Sequence, residues 1–312
     1  MTELIITAND GGQRLDRFLT KAYPSLTNGV VRKSLREKRV KLNGRRPEAD
    51  TFLKMGDVLR LFINDSLLTG AVAKVKPVSG ELNIVYEDDN LLIADKPAGL
   101  LVHADDTGET DTLIARITAY LTATGEYDDS ERTFAPSLCN RIDRGTCGLV
   151  IAAKNSEALR VMCEKIKARE VKKTYLALCD GVFQKKRSTL TAFLRKDEQS
   201  HRVTVEREKT RDNLTALLSY EVVRQTSDCS LVRVDLQTGR THQIRAQLAS
   251  IHHPVLGDGK YGDYKANKAR GFKYQALCSH KVAFLWQTDS GILNYLNGKS
   301  FEATNVWFLN KI

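Results

Sequence analysis

Two rhythms of apolar residues run along the chain, and the change between them divides it. Near the N-terminus, "GQRLDRFLTKAY" spaces Leu15, Phe18, Leu19 and Tyr23 as one face of a helix. "LTNGVVRKSLREKRV" sets Val30, Val31 and Leu35 on one side of a second helix, with Thr27 or Asn28 available as its N-cap. In "VKLNGRR" an Asn-Gly pair between β-prone and basic residues predicts a tight hairpin. "GDVLRLFI" then alternates into a closing strand. These segments predict a compact unit over residues 1–63, two short helices followed by a hairpin. "NDSLLTGAVAKVKPVSG", residues 64–80, has no periodicity and carries Gly, Ser and Pro, the composition of a linker.

From Glu81 to Ile312 strands dominate. "LNIVYEDDNLLIADKPAG" is strand, turn, strand. "DTLIARITAYL" is an amphipathic helix, "EYDDSERT" an acidic loop, and "NSEALRVMCEKIKARE" a helix capped by Asn155 or Ser156. "VKKTYLALCDG", "LTAFLR", "HRVTVE", "LTALLSYEVVRQ" and "CSLVRVDLQ" are strands, "THQIRAQLASI" a helix, "HHPVLGDGKYG" a loop and "ALCSHKVAFLWQ" a late strand. Strands that follow one another with few helices between them predict an α+β fold. Its larger part is a mixed, mostly antiparallel sheet flanked by helices and loops, joined to a small N-terminal α/β unit.

Composition narrows the class. A chain of 312 residues with 42% hydrophobic residues can build two domains with proper cores. No apolar run reaches 18 residues, and "MTELIITANDGG" does not have the form of a signal or transit peptide. The six cysteines, at 139, 147, 163, 179, 229 and 278, form no CxxC pair, so neither a zinc site nor a disulfide framework is expected. A cytoplasmic monomer with reduced thiols and no membrane partner is the expectation.

Charge adds a partner. The net charge is +10. Residues 1–63 hold 13 Lys/Arg against 7 Asp/Glu, so a fifth of the chain carries +6 of the excess. Within it, Arg32, Lys33, Arg36, Lys38, Arg39, Lys41, Arg45 and Arg46 face a single acid, Glu37. Such a basic stretch suits a polyanion such as RNA, and a solvated charged face is the plain alternative.

Three polar clusters interrupt apolar segments. In "NRIDRGTCGLVIAAK", Asp143 lies between Arg141 and Arg144, ahead of a buried strand. A carboxylate beside guanidinium groups stays ionised and can act as nucleophile or general base, or it can simply pin a turn. Gly145 and Gly148 allow a sharp turn and the close approach of a ligand. In "KKTYLAL", Tyr175 is either a core tyrosine or a face on which a base stacks. In "GRTHQIRAQL", Gly239 and Arg240 end a strand, and Thr241 is placed to cap the next helix. Arg245 in its first turn could reach a carboxylate or a phosphate. His242 has no second histidine at metal-binding spacing. "GDGKYG" (Gly257 to Gly262) matches GxGxxG by letter but follows a helix and a His-His-Pro loop, so it carries no dinucleotide reading. No GxxxxGK[ST] occurs.

The three clusters, in this order, resemble the motifs of the RluA-type pseudouridine synthases, whose first motif is commonly written HRLDxxTSG. "EDDNLLIADKPAGLLVH" and "HHPVLGDGKYG" are also typical of that family, and the likeness runs from about Leu82 to Trp286. Residues 1–63 are similar to the small RNA-binding domain named after ribosomal protein S-four. The resemblance implies catalysis by Asp143, a base-packing role for Tyr175, and Arg245 as the partner of the aspartate. It implies isomerisation of uridine in RNA, with large-subunit ribosomal RNA as the first expectation and transfer RNA as the second. Arg141, Arg144 and the eight basic residues of Arg32–Arg46 would handle RNA. No cofactor and no metal are implied. Asn140 stands where the family has His, Cys147 where it has Ser, and Ala246 and Gln247 also differ. The rival readings are a non-catalytic RNA-binding or ribosome-assembly factor on the same fold, and a metal-dependent nuclease, for which no ligand cluster is present.

Overall fold

The computed structural model describes residues 1–68, 78, 80–105, 108–128, 133–197 and 202–312. Most of the linker expected over 64–80 and the middle of the acidic loop at 126–133 lie outside the described residues.

The first unit runs β1 (Thr2–Ile5), α1 (Leu15–Ala22), α2 (Asn28–Arg36), β2 (Val40–Leu42) and β3 (Val58–Leu61). Its strands form an antiparallel sheet in the order β1-β3-β2. Leu15, Phe18 and Leu19 of α1 pack with Val31 and Leu35 of α2 and with Leu59 and Leu61 of β3. Thr27 is the N-cap of α2, accepting from the Val30 amide. The hairpin expected in "VKLNGRR" is reduced to one bridge, Leu42 with Arg45. Asn43 and Gly44 do turn in the left-handed region, at φ 50° and 77°. The Asn43 side chain, however, ties the turn to β3, accepting from the Val58 amide and donating to Asp57, both at 2.8 Å. β2 therefore pairs with β3. β1 alternates over only four residues, too few to stand out by pattern.

The remaining elements are β4 (Ile84–Glu87), β5 (Leu91–Lys96), α3 (Leu113–Ala123), β6 (Ser137–Leu138), β7 (Cys147–Ala153), α4 (Ser156–Lys167), β8 (Val171–Asp180), β9 (Arg187–Asp197), β10 (Arg202–Glu206), β11 (Leu214–Gln225), β12 (Cys229–Leu236), α5 (Gln243–Ser250), α6 (Tyr264–Ala269), β13 (Leu277–Phe284) and β14 (Ser300–Glu302). They build a sheet in the order β10-β9-β11-β12-β8-β13-β7-β5-β4, with β14 beside β13 and β6 beside β7. Among the described residues every pairing between these strands is antiparallel except β13 with β7. The α+β class with a mixed, mostly antiparallel sheet is thus the observed one. Among the described residues no helix is long and apolar enough to cross a membrane.

Alternation of side chains explains why β5 and β7 read as continuous apolar runs. Leu92, Ala94, Val150 and Ala152 face one side, with Leu113, Ile117 and Leu121 of α3. Leu91, Ile93, Leu149 and Ile151 face the other, with Ala158, Val161 and Met162 of α4. Both strands are buried on both faces, so neither shows a polar alternate before Asp95 and Lys96 at the end of β5.

The parallel contact is only two residues long, Cys278 with Cys147 and Ser279 with Gly148. Gly148 makes it possible. Its φ is +104°, and a Cβ there would lie 2.4 Å from the Ser279 carbonyl oxygen. A Cβ at Gly145 would come within 2.5 Å of the Gln275 side chain. Gly148 thus admits β13, and Gly145 leaves room for the Gln275 side chain just ahead of that strand.

A correction to the sequence reading concerns α5. Thr241 does not cap it; His242 occupies the N-cap position in the left-handed conformation (φ 52°, ψ 18°) and makes no side-chain cap bond. The buried Gln243 side chain fastens this end instead. Its Oε1 accepts from the Arg240 amide (3.0 Å) and Thr238 Oγ1 (2.8 Å), and its Nε2 donates to the Leu217 carbonyl (3.1 Å). Strand β12 has already ended at Leu236, ahead of Gly239 and Arg240.

Candidate active site

The turn between β6 and β7 carries Asp143, and the first turn of α5 carries Arg245. Register of the sheet brings the two ends together. Arg245 Nη1 donates to Asp143 Oδ2 at 2.7 Å, across 102 positions of sequence. The rest of the guanidinium is held from behind: Nε donates to Asp258 Oδ2 (2.7 Å) and Nη2 to Asp258 Oδ1 (2.8 Å). This is a planar two-bond fork, the arrangement that suits arginine and no lysine.

Asp258 has a fully buried side chain. Burial alone would push its carboxyl up, but Arg245 and the backbone N–H groups of Lys260 and Tyr261 outweigh burial and hold it below the usual range. Burial likewise opposes the charge on Arg245, and the pairing with Asp258 and then Asp143 reverses that, raising its pKa. Asp258 lies in the "GDGKYG" match that has no nucleotide role, and sequence reasoning missed it. The acid within a Gly-Asp-Gly turn was the available signal.

Asp143 differs from Asp258 in exposure: its side chain is 30% exposed. Its polar partners both approach Oδ2, Arg245 and, at 3.9 Å, His242 Nε2. Among the described residues Oδ1 has no partner. One oxygen is anchored and the other is open to a reactant.

Tyr175 sits on β8 between Val234 of β12 and Ser279 of β13. A bulge between Ser279 and Lys281 follows at this point, the kind of irregularity that re-aims side chains beside a site. Burial pushes the Tyr175 phenol up to about 12, with a hydrogen bond to Ser279 opposing and the nearby Asp143 charge adding to the rise.

Two further groups border the aspartate. Lys96, fully buried at the end of β5, donates to the carbonyls of Pro97 (2.9 Å), Leu100 (2.7 Å) and Arg144 (3.1 Å), tying the 97–100 turn to the Asp143 turn. Burial pulls its ammonium down to about 7. Three acceptors are one more than a neutral amine can satisfy, and they favour the charged form. His242 is the other. Its Nδ1 lies 3.0 Å from the Tyr261 hydroxyl, and burial lowers its pKa, opposed by Asp143 and assisted by Arg245 and Lys260.

The remaining residues singled out by sequence are placed elsewhere. Arg144 is exposed, and its Nε donates to the Gly99 carbonyl (3.0 Å). Arg141 is exposed near His103, whose pKa falls through burial and then the Arg141 charge. Arg32, Lys33, Arg36, Lys38, Arg39, Lys41, Arg45 and Arg46 are all exposed on the first unit. Lys41 lies over the ring of the exposed Phe62 (5.7 Å). The departures from the family pattern have local partners. Asn140 Oδ1 accepts from the Ile151 amide (2.8 Å), Cys147 Sγ donates to the Leu277 carbonyl (3.6 Å), and Ala246 packs with Leu194, Val203 and Ala216. Gln247 Nε2 donates to the Leu190 carbonyl (3.2 Å).

A family model described as RNA pseudouridylate synthase matches residues 90–250. The chain is 31% identical over 282 residues to the uncharacterized RNA pseudouridine synthase YhcT of Bacillus subtilis, covering 90% of this chain and 87% of that protein. It is 29% identical over 290 residues to the ribosomal large subunit pseudouridine synthase C of Haemophilus ducreyi, covering 89% and 86%. Human RNA Pseudouridylate Synthase Domain Containing 1 shares the fold, with a TM-score of 0.55 and 24% identity over 67% of this chain and 80% of that one.

Proposed function

The chain belongs to the RNA pseudouridylate synthase family of isomerases, and from that premise we propose that it converts uridines of large-subunit ribosomal RNA to pseudouridine, with Asp143 as the catalytic group. The observation that carries the reading is Asp143 itself, anchored through Oδ2 by an arginine that a buried carboxylate holds from behind, with Oδ1 open. The reaction breaks the bond between the sugar and the ring nitrogen, turns the base and rejoins it through carbon. No atom is gained, so no donor or oxidant is required. An anchored carboxylate next to the sugar serves any of three routes: attack on the anomeric carbon, attack on the ring, or removal of a sugar proton.

Arg245 fixes where that carboxylate stands, which is the larger part of what a preformed site contributes. Tyr175 offers the target uracil an aromatic face once the base has left its stack. Burial and the nearby Asp143 charge both disfavour the phenolate, so the aromatic face is the contribution this reading rests on.

Residues 1–63 act as an S-four-like RNA-binding domain, 64–80 as a linker and 81–312 as the catalytic domain. The exposed cations from Arg32 to Arg46 bind phosphates and set position, and Arg141 and Arg144 handle the strand near Asp143. The ribosomal assignment is supported by the name of the Haemophilus ducreyi relative, a synthase of the large subunit. Mapping pseudouridine across total RNA from cells with and without the gene tests it: sites missing from large-subunit RNA support the reading, and sites missing only from transfer RNA would replace the substrate.

A further inference from the structure

Two residues beside Asp143 have been given no part in the reaction. Tyr261 receives a hydrogen bond from the Val203 amide at 2.8 Å. Its own proton is then free to be donated, and the acceptor at hand is His242 Nδ1, 3.0 Å away. An imidazole that accepts at Nδ1 carries its hydrogen on Nε2. That nitrogen lies 3.9 Å from Asp143 Oδ2, the same oxygen that Arg245 holds.

We propose that Tyr261 and His242 form a relay that positions the Asp143 carboxylate: Tyr261 fixes the His242 tautomer, and His242 turns its Nε2–H toward Oδ2. The proposal rests on the reading of Asp143 as the catalytic group. His242 is a positioning residue, since it acts through Asp143. Its backbone supports the assignment. A non-glycine residue in the left-handed region costs on the order of 1 kcal/mol, and His242 holds φ 52° and ψ 18° at the start of α5.

Tyr261 is anchored as firmly. Its N–H donates to Asp258 Oδ1 (3.1 Å), and its ring lies 5.3 Å from the Arg245 guanidinium. Asp258 thus fixes both approaches to Oδ2, one through Arg245 and one through Tyr261. The charges facing His242 are Asp143 and Asp258 on one side and Arg245 and Lys260 on the other. They balance by count, which leaves burial and the Tyr261 bond to keep the ring neutral.

The test is nitrogen-15 NMR of histidine-labelled full-length protein, with the His242 signals assigned by their disappearance in His242→Gln. At pH 7 the expected pattern is bare Nδ1 and protonated Nε2. Tyr261→Phe should mix the tautomers and move the ring's titration upward. An Nδ1–H tautomer or an imidazolium in the unmodified protein overturns the relay, and so does a pattern that Tyr261→Phe leaves unchanged. This readout needs no turnover, so it stands even if Asp143→Asn proved active and the functional reading fell. Rates under single-turnover conditions complete it. His242→Leu should lose about 10-fold or more in rate with KM little changed. His242→Gln, which keeps an N–H donor, should recover part of that, and Tyr261→Phe should gain an acid limb in its pH profile. Equal rates for the Gln and Leu variants, both folded by their unfolding midpoints, would refute the positioning role.

Discussion

Arg245 gives two of its nitrogens to Asp258 and the third to Asp143. The two carboxylates are not equivalent. Asp258 is sealed in, and Asp143 is partly open to solvent. The sealed one sets the plane of the guanidinium and so decides where its free corner points.

Asp258→Asn keeps the shape and removes the charge. Breaking a buried ion pair from one side costs up to about 3–5 kcal/mol, and Arg245 would keep only the partly exposed Asp143 as its partner. Denaturant unfolding should show a drop of about that size, and the rate of isomerisation should fall with it, since Arg245 is no longer aimed.

Asp143→Asn should behave in the opposite way. Unfolding free energy should change by no more than about 1 kcal/mol, because the pair is partly exposed. Pseudouridine formation should fall by at least about 10⁴-fold while RNA binding persists in a filter or gel-shift assay. Full residual activity would remove Asp143 from the mechanism.

Tyr175→Phe should stay within about 10-fold of the parent rate, since an aromatic face is kept. Tyr175→Leu should forfeit the stacking energy, roughly 1–3 kcal/mol per base, read in kcat/KM on a short RNA. A decrease for Phe as large as that for Leu would return the hydroxyl to the chemistry.

Replacing Arg32, Lys33, Arg36 and Arg39 by alanine should weaken RNA binding and flatten its salt dependence. For a single strand, every phosphate that the variant no longer neutralises takes about 0.7 from the slope of log K against log salt. Turnover at saturating RNA should not change. An unchanged slope would assign those cations to a solvated face.

Asp258 and His242 should each contribute to the way stability follows pH. Asp258 titrates below the ordinary carboxyl value of 3.8 when folded, so its contribution is complete above that value and disappears as pH falls through the lower folded one. His242 titrates below 6.5 when folded. The unfolded ring binds a proton that the folded ring rejects, so stability declines as pH drops through 6.5. Thermal unfolding across pH 3–8 should show both slopes. Asp258→Asn should make the acid slope shallower and His242→Gln the one near 6.5, with His103 and the other paired carboxylates supplying what remains.

Much of the fold and of the site is legible in the sequence, for identifiable reasons. Asn155 caps α4 as the pattern implies, with Oδ1 2.8 Å from the Ala158 amide. The residues of the three polar clusters stand out because they interrupt apolar runs. Asp258, Lys96 and the role of His242 do not. Asp258 is hidden in a glycine-rich loop whose letters suggest a different chemistry. Lys96 ends a strand that is otherwise mostly apolar, and its three carbonyl partners come from turns whose path no local pattern reveals. The left-handed backbone of His242 is set by the Gln243 side chain bonding backward to Thr238 and Arg240, a tertiary override of the capping expected from Thr241.

The two-residue seam between β7 and β13 has a consequence for how the protein is made. β13 lies between β8 and β7, both of which leave the ribosome long before it. Until residues 277–284 emerge, β8 has an unpaired edge, β7 lacks its partner at Cys147 and Gly148, and Tyr175 lacks the Ser279 that lies opposite it in the finished sheet. Pairings of such long sequence separation form slowly, and open strand edges invite pairing with other chains. Chains that stop before β13 should therefore be insoluble as well as inactive, because a strand made well after its two neighbours is the one that closes the sheet around the site.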